Sequence, residues 1–238
     1  MNLDEKIISA LKDLDYKEAT EIQKKAIPIA LKKRDILAAA QSGTGKTAAF
    51  LLPILTELIA NKQPNKPVLR TLILVPTREL ASQISKAAED LGKYLDVQKL
   101  AVFGGVSTKE QEKKIAKGLD ILVATSGRLM EHLKNGTVDL SSVTTVVIDE
   151  VDTMLDMGFL EDIEKILPSV GPKRQIMMFS ATMNQNVKKL AKEFLTDPVV
   201  IEVAQQRSAV KIIDQQIVLV DEANKAAALS YIIGSKNY

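Results

Sequence analysis

A lysine and a hydroxyl set behind two glycines, in the run Ala40-Gln41-Ser42-Gly43-Thr44-Gly45-Lys46-Thr47, are the residue types that hold a triphosphate. Gly43 and Gly45 let the chain curve tightly enough to aim backbone N–H groups inward, and the helix that follows adds its positive end. On this reading Ser42, Gly43, Thr44 and Gly45 line the phosphates and Lys46 meets the β- and γ-phosphates, while the Thr47 hydroxyl holds a Mg²⁺ ion that bridges them. Ala40 stands where the general pattern has its first glycine, so the assignment rests on context: the apolar stretch 35–40 before the loop and Ala48-Ala49-Phe50-Leu51-Leu52 after it. The plainer alternative is a small-residue turn between two elements.

A phosphate loop needs a carboxylate on the metal side, and Thr144-Thr145-Val146-Val147-Ile148-Asp149-Glu150-Val151-Asp152 supplies one. The β-branched run reads as a buried strand with Asp149 at its carboxyl end, where open α/β sheets bind ligands. Asp149 would hold Mg²⁺ directly or through water, and Glu150 would orient or deprotonate the attacking water. The acids could instead form a solvated turn that caps the next helix.

Further strands end in small, polar or basic turns. Pro76-Thr77-Arg78 follows the apolar run 71–75, Gly104-Gly105 follows 99–103, and Thr125-Ser126-Gly127-Arg128 follows 120–124. Together they could track a sugar-phosphate backbone. Arg78 and Arg128 could equally pair with Glu79 and Glu131.

The ordered set AQSGTGKT, PTREL, GG, TSGR, DEVD and SAT resembles the amino-terminal RecA-like domain of the DEAD-box ATP-dependent RNA helicases, over nearly the whole chain from about Leu3 to Tyr238. The chain departs from the family at Val151, where the family has alanine, at Ala19, where it has proline, and at Ser126, where it again has proline. The resemblance implies that Gln23, beside Thr20, selects adenine over guanine. A side-chain amide offers the donor and acceptor that adenine's edge matches. Standing alone, Gln23 reads as a surface glutamine on a helix. The resemblance also implies that Pro76, Thr77, Arg78, Gly104, Gly105, Thr125, Gly127 and Arg128 hold single-stranded RNA through phosphates and 2′-hydroxyls. Ser180 and Thr182, in the SAT motif, are implied to bond toward Asp152 and so couple nucleotide state to strand separation.

The elements that must position these groups follow from periodicity. Apolar runs at 35–40, 71–75, 99–103, 121–124, 144–148, 175–179, 199–203 and 216–220 alternate with helix-like segments, the pattern of a mostly parallel sheet with helices on both faces. The class is α/β, and the resemblance makes it a RecA-like P-loop NTPase fold. Helices are expected over 21–33, 78–95 and 187–195, with Asn184 as a cap, a kink at Pro53, a loop over 63–67 and a helix end at Gly158. Met154 and Met157 are expected in the core, and His132 is expected to have no catalytic part.

With 238 residues, 46% of them hydrophobic, and a formal charge of +2, composition argues for one large domain and is silent on nucleic acid. The absence of cysteine excludes disulfides, cysteine–zinc sites and thiol catalysis, and with no membrane-length apolar run or leader-like amino terminus it suggests the cytoplasm. The expected organisation is a RecA-like ATP-binding domain over 1–204, then a linker and the opening strand (212–220) and helix (222–233) of a truncated second RecA-like domain over 205–238. The rest of that second domain would act in cis and bring arginines to the γ-phosphate. Without it, ATP turnover by this monomeric chain should be nearly nil. The expected function is therefore ATP and Mg²⁺ binding by one half of an RNA helicase. A nucleotide-gated RNA clamp or scaffold without catalysis, and a DNA helicase domain, are the alternatives.

Overall fold

The computed structural model describes residues 3–61, 67–203 and 217–235. Two compact units divide the chain, 1–204 and 205–238.

In the first unit, α1 (Glu5–Asp13) and α2 (Glu21–Ala30) precede β1 (Ile36–Ala39) and α3 (Lys46–Ala60). Then strand and helix alternate: β2 (Thr71–Val75), α4 (Arg78–Leu91), β3 (Lys99–Val102), α5 (Thr108–Ile115), β4 (Ile121–Thr125), α6 (Ser126–Lys134) and β5 (Thr145–Ile148). After β5 come α7 (Val151–Asp156), α8 (Leu160–Ile166), β6 (Gln175–Ser180), α9 (Gln185–Phe194) and β7 (Val199–Glu202). The seven strands form one sheet in the order β3-β4-β2-β5-β6-β1-β7. Every pairing is parallel.

Strand alternation distributes the apolar side chains to two cores. Ile73 and Val75, Val147, Met177 and Phe179 face one way, against Ile22, Phe50, Leu51, Ala81 and Ile84 from α2, α3 and α4. Leu72 and Leu74, Val146 and Ile148, Ile176 and Met178 face the other way, against Leu129, Met154, Ile163 and Val187 from α6 to α9. Coverage of both faces explains why β2 and β5 read as continuous apolar runs rather than alternating ones. Phe50 and Phe179 meet at a ring separation of 5.4 Å, a tilted contact that adds roughly 1 kcal/mol to the burial itself.

The sheet's register is pinned at both ends. At the amino ends of the strands the buried Asp35 carboxylate accepts the Ile176 and Thr196 amides at 2.8 and 2.7 Å. At the carboxyl ends the Asp149 amide donates to the Leu74 carbonyl at 3.0 Å and the Ala40 amide to the Ser180 carbonyl at 2.9 Å. These last bonds set the acidic motif level with the end of β2 and the phosphate loop level with the SAT motif.

Several elements differ from the sequence reading. Helix α3 continues through Pro53 to Ala60 as one element, so the proline, where a kink is expected, does not end the helix. Gly158 ends α7 with φ +81°, as the motif suggests, but Met157 just before it is 50% exposed while Met154 is buried. The αL turn swings Met157 out of the apolar stripe. Asn184 caps α9 by accepting the Val187 amide at 2.9 Å. In the second unit the strand expected over 212–220 does not form in its described part: 217–220 is irregular, with Ile217 and Leu219 more than nine-tenths exposed. The expected helix is there, as a 3₁₀ turn at Glu222–Asn224 followed by α10 (Lys225–Ser235). Residues 204–216, which hold the expected linker and the start of that strand, and 62–66, which hold most of the expected loop, lie outside the described residues. Among the described residues no helix is long and apolar enough to cross a membrane.

Candidate nucleotide site and nucleic-acid groove

Each predicted site residue sits at or just beyond the carboxyl end of a strand, apart from Thr20 and Gln23 at the start of α2. The strand order sorts them. The loops after β5, β6 and β1 carry the DEVD, SAT and phosphate-loop residues, and those after β3, β4 and β2 carry the GG, TSGR and PTR residues. One edge therefore holds two adjoining halves, although the chain visits them out of that order.

In the nucleotide half, Gly45 (φ +91°) turns the loop into α3, with Lys46 as its first residue. A Cβ at Gly45 would stand 2.5 Å from Gln23 Nε2 and 3.1 Å from Thr20 Oγ1, so position and conformation both require glycine. Gln23, 3% exposed, donates from Nε2 to the Gly45 carbonyl at 3.1 Å and accepts the Thr20 amide on Oε1 at 3.0 Å. The structure thus ties the start of α2 to the phosphate loop through Gln23. Ser42 and Gly43 are exposed, Thr44 and Thr47 half-buried, and Thr44 Oγ1 donates to the Gln41 carbonyl at 2.7 Å.

Lys46 is the decisive group here. Its side chain is 6% exposed, and its buried ammonium has no hydrogen-bond partner and faces Asp149 Oδ1 at 3.7 Å. A buried cation with open donors beside a glycine turn fits an anion that would complete its shell. Burial pushes the Asp149 carboxyl up to about 6, against the opposing pull of Lys46 and of the Glu150 amide, which donates to Asp149 Oδ1 at 2.9 Å. Among the described residues no three histidine, cysteine or acidic side chains converge as a metal cage. A Thr47 hydroxyl and an Asp149 carboxylate suit Mg²⁺, which takes few protein ligands and fills its sphere with phosphate and water.

The raised Asp149 value has a sign. Its folded pKa lies above the ordinary carboxylate value of 3.8, so the folded state holds this proton more tightly. This site's contribution to stability is therefore present below pH 3.8 and declines as pH rises from 3.8 to about 6. A cation can coordinate only after the proton leaves. Mg²⁺-dependent nucleotide affinity should thus fall about tenfold per pH unit below about 6. Calorimetry in buffers of different ionisation enthalpy should show proton release at pH 5.5–6 that Asp149→Asn lacks.

Glu150 adopts φ +52°, ψ +50° as the residue before α7. A glutamate in the left-handed region costs on the order of 1 kcal/mol. Asp152 accepts the Thr182 amide at 2.9 Å, the Thr182 hydroxyl at 3.0 Å and the Ala181 amide at 3.4 Å. Burial alone would raise the Asp152 pKa; the hydroxyls of Ser180 and Thr182 and the amides of Ala181 and Thr182 around it hold it below its usual value. Ser180 Oγ is itself fully buried with no hydrogen bond of good geometry.

In the other half, Pro76, Thr77, Arg78, Gly104, Thr125, Gly127 and Arg128 line one open cleft of about 580 Å³ with Glu131 and Phe159. Thr77 caps α4, accepting the Leu80 amide at 3.2 Å. Arg78 is more than half exposed and only 3.9 Å from Glu79, a loose pair. Its Nη1 covers Gly105 (φ +83°), where a Cβ would stand 2.4 Å away. Arg128 is different. Its side chain is 10% exposed and turned inward, with Nε on Glu131 Oε2 at 3.0 Å and Nη1 on the Val106 carbonyl at 3.1 Å and Thr108 Oγ1 at 2.8 Å. Sequence reasoning missed the residues that receive it, Val106, Thr108 and Gln111. The only available signal was their place just after the GG pair.

Ser126 begins α6 with its hydroxyl buried and unpartnered. Proline suits the first turn of a helix, where its missing N–H has no intrahelical partner. Ser126→Pro should stabilise the domain by about 1 kcal/mol through a stiffer unfolded chain and the loss of an unpaired hydroxyl. A melting-temperature rise of roughly 2–4 °C would show it; a drop would mean the backbone at 126 does not fit the ring.

A profile of the DEAD/DEAH box helicase family matches residues 20–190, the span from the α2 cap through the SAT motif. The chain belongs to that family. Over 236 residues it is 39% identical to the DEAD-box ATP-dependent RNA helicase RhpA of Helicobacter pylori, covering 99% of this chain and 47% of RhpA. To the DEAD-box ATP-dependent RNA helicase CshA of Bacillus subtilis it is 37% identical, over 98% of this chain and 46% of CshA. The chain thus spans about half the length of these relatives. The crystal structure of a DEAD box protein from the hyperthermophile Methanococcus jannaschii superposes with a TM-score of 0.80 at 33% identity, over 98% of this chain and 62% of that one. DEAD-box membership accounts for the RecA-like sheet and for the order of motifs along its edge.

Proposed function

We propose that this DEAD-box chain is the ATP- and Mg²⁺-binding half of an ATP-dependent RNA helicase that works as a monomer and whose second RecA-like domain completes both the ATP site and the RNA track. The observation that carries the reading is the buried, hydrogen-bond-free Lys46 ammonium at the phosphate loop, 3.7 Å from Asp149. Lys46 would take the β- and γ-phosphates, and Gly43 to Gly45 would present their amides. Gln23 would hold the loop and face the adenine. Mg²⁺ on Thr47 and Asp149 would neutralise charge between the phosphates. Glu150 would take the proton from the attacking water. The cleft lined by Thr77, Arg78, Gly104 and Gly127 would hold the backbone of single-stranded RNA, with base edges left unread.

Turnover by the chain alone should be very slow, because arginines that neutralise transition-state charge are typically worth 10³–10⁵ in rate. The test is ATP hydrolysis by the chain and by a two-domain form, without nucleic acid, with single-stranded RNA and with matched DNA, using Glu150→Gln as blank. RNA-stimulated turnover only in the two-domain form supports the proposal. Equal stimulation by DNA would make the 2′-hydroxyl irrelevant and point to a DNA helicase. Binding without turnover in the two-domain form would mean a nucleotide-gated clamp.

A further inference from the structure

Beneath the cleft lies a buried polar chain that the motifs do not include. Gln111, on α5 and 5% exposed, reaches across to His132, on α6 and fully buried. Gln111 Nε2 donates to the Phe103 carbonyl at 3.1 Å, the residue just before Gly104. Gln111 Oε1 receives Arg128 Nη1 at 3.3 Å and lies 3.0 Å from His132 Nε2. On the far side, His132 Nδ1 lies 2.9 Å from Thr137 Oγ1, which also reaches the His132 carbonyl at 3.0 Å.

The donors fix the protons. Reversing the Gln111 amide would set its NH₂ against the Arg128 guanidinium and its oxygen against the Phe103 carbonyl, so Oε1 must face His132. His132 Nε2 then carries a hydrogen, and Nδ1 of the neutral ring and the His132 carbonyl share the single Thr137 hydroxyl proton. Burial, with Arg128 nearby, lowers the His132 pKa against the opposing influence of Glu112 and Glu131, which favours that neutral form. One buried amide thus joins the GG loop to the start of α6, while the third loop closes on them through Arg78 over Gly105.

We propose that Gln111 and His132 are positioning residues for the nucleic-acid cleft: through Arg128 and the Phe103 carbonyl they hold the GG and TSGR loops at the spacing that a sugar-phosphate backbone requires. The inference rests on the RNA reading of that cleft. Neither side chain lines it, and neither belongs to the nucleotide half, so their loss should separate the two binding activities. A generic core defect would weaken both.

The experiment is a double-substitution cycle of Gln111→Met and Arg128→Met, read by oligouridylate titration, ADP titration and melting. A nuclear magnetic resonance measurement of the Arg128 guanidinium signals accompanies it. Gln111→Met should weaken oligouridylate binding about tenfold and leave ADP affinity within twofold. In the Arg128→Met background the same change should have little further effect, because the brace is already gone. His132→Leu should reproduce the Gln111→Met pattern. The wild-type Arg128 Nη protons should be resolved by hindered rotation, and in Gln111→Met they should collapse. Parallel losses of RNA and ADP affinity, or independent additive losses in the cycle, would overturn the proposal. If the wild-type two-domain form binds no oligouridylate at any salt, the RNA reading is refuted, and the positioning of Arg128 is decided by its guanidinium signals: unchanged in Gln111→Met, they overturn it as well.

Discussion

Lys46→Ala should lower affinity for ADP and ATP by roughly 100- to 1,000-fold, the loss expected when a buried charge-assisted contact is truncated. The structure gives a reason beyond the motif. The ammonium is already desolvated, with no hydrogen bond to surrender when phosphate arrives, so little of its interaction is spent on breaking old contacts. The variant has a second signature. Lys46 is the main influence that lowers the Asp149 pKa against burial, so without it Asp149 should titrate higher still and remain protonated further toward neutral pH. Isothermal titration of nucleotide and pH titration of the Asp149 carboxyl check the two effects. Unchanged nucleotide affinity would remove the phosphate-loop assignment.

Glu150→Gln separates chemistry from binding. A general base typically contributes 10²–10⁴ in rate, so in a two-domain form hydrolysis should drop by about that factor while nucleotide affinity stays within a few-fold. The left-handed backbone at Glu150 (φ +52°) adds a contrast. Glu150→Gly should be equally inactive yet lose the strain, which offsets much of glycine's extra unfolded-state entropy and leaves stability within about 1 kcal/mol. A strained non-glycine residue at the point of chemistry is where stability and activity are expected to diverge. If Glu150→Gln hydrolysed ATP at the parent rate, the water-activating role would belong elsewhere.

The motifs and their strand-end positions were legible because each strand is a short apolar run that stops at a polar or glycine turn. The runs 71–75 and 175–179 correspond to β2 and β6 to within a residue. Pairing order was not legible. Nothing in the run after Val75 says that β2 lies between β4 and β5, because order is decided by which helix covers which face. Arg128 shows the same limit at side-chain scale. Its partner Glu131, three residues on, was visible in the sequence, but Gln111 and Val106 come from the preceding β–α unit and meet it only when the sheet is assembled. Met157 failed for a local reason: its type says core, and the αL glycine after it overrides type.

The strand order also governs how the protein is born. Strand β1, which aims the phosphate loop, pairs only with β6 and β7, and its first residue Ile36 pairs with Met177, 177 − 36 = 141 positions later. At ribosomal rates of roughly 5–20 residues per second, β1 waits about 7–30 s for its neighbours, whereas β2, β3 and β4 can zip together much earlier. The nascent chain thus carries the apolar stretch Ile36–Ala39 without its strand partners through most of its synthesis, while α3 can already pack on α2 and α4. Sequences that slow translation after residue 125 would lengthen that exposure, and a chaperone that shields short apolar segments would have its natural client in the first quarter of this chain.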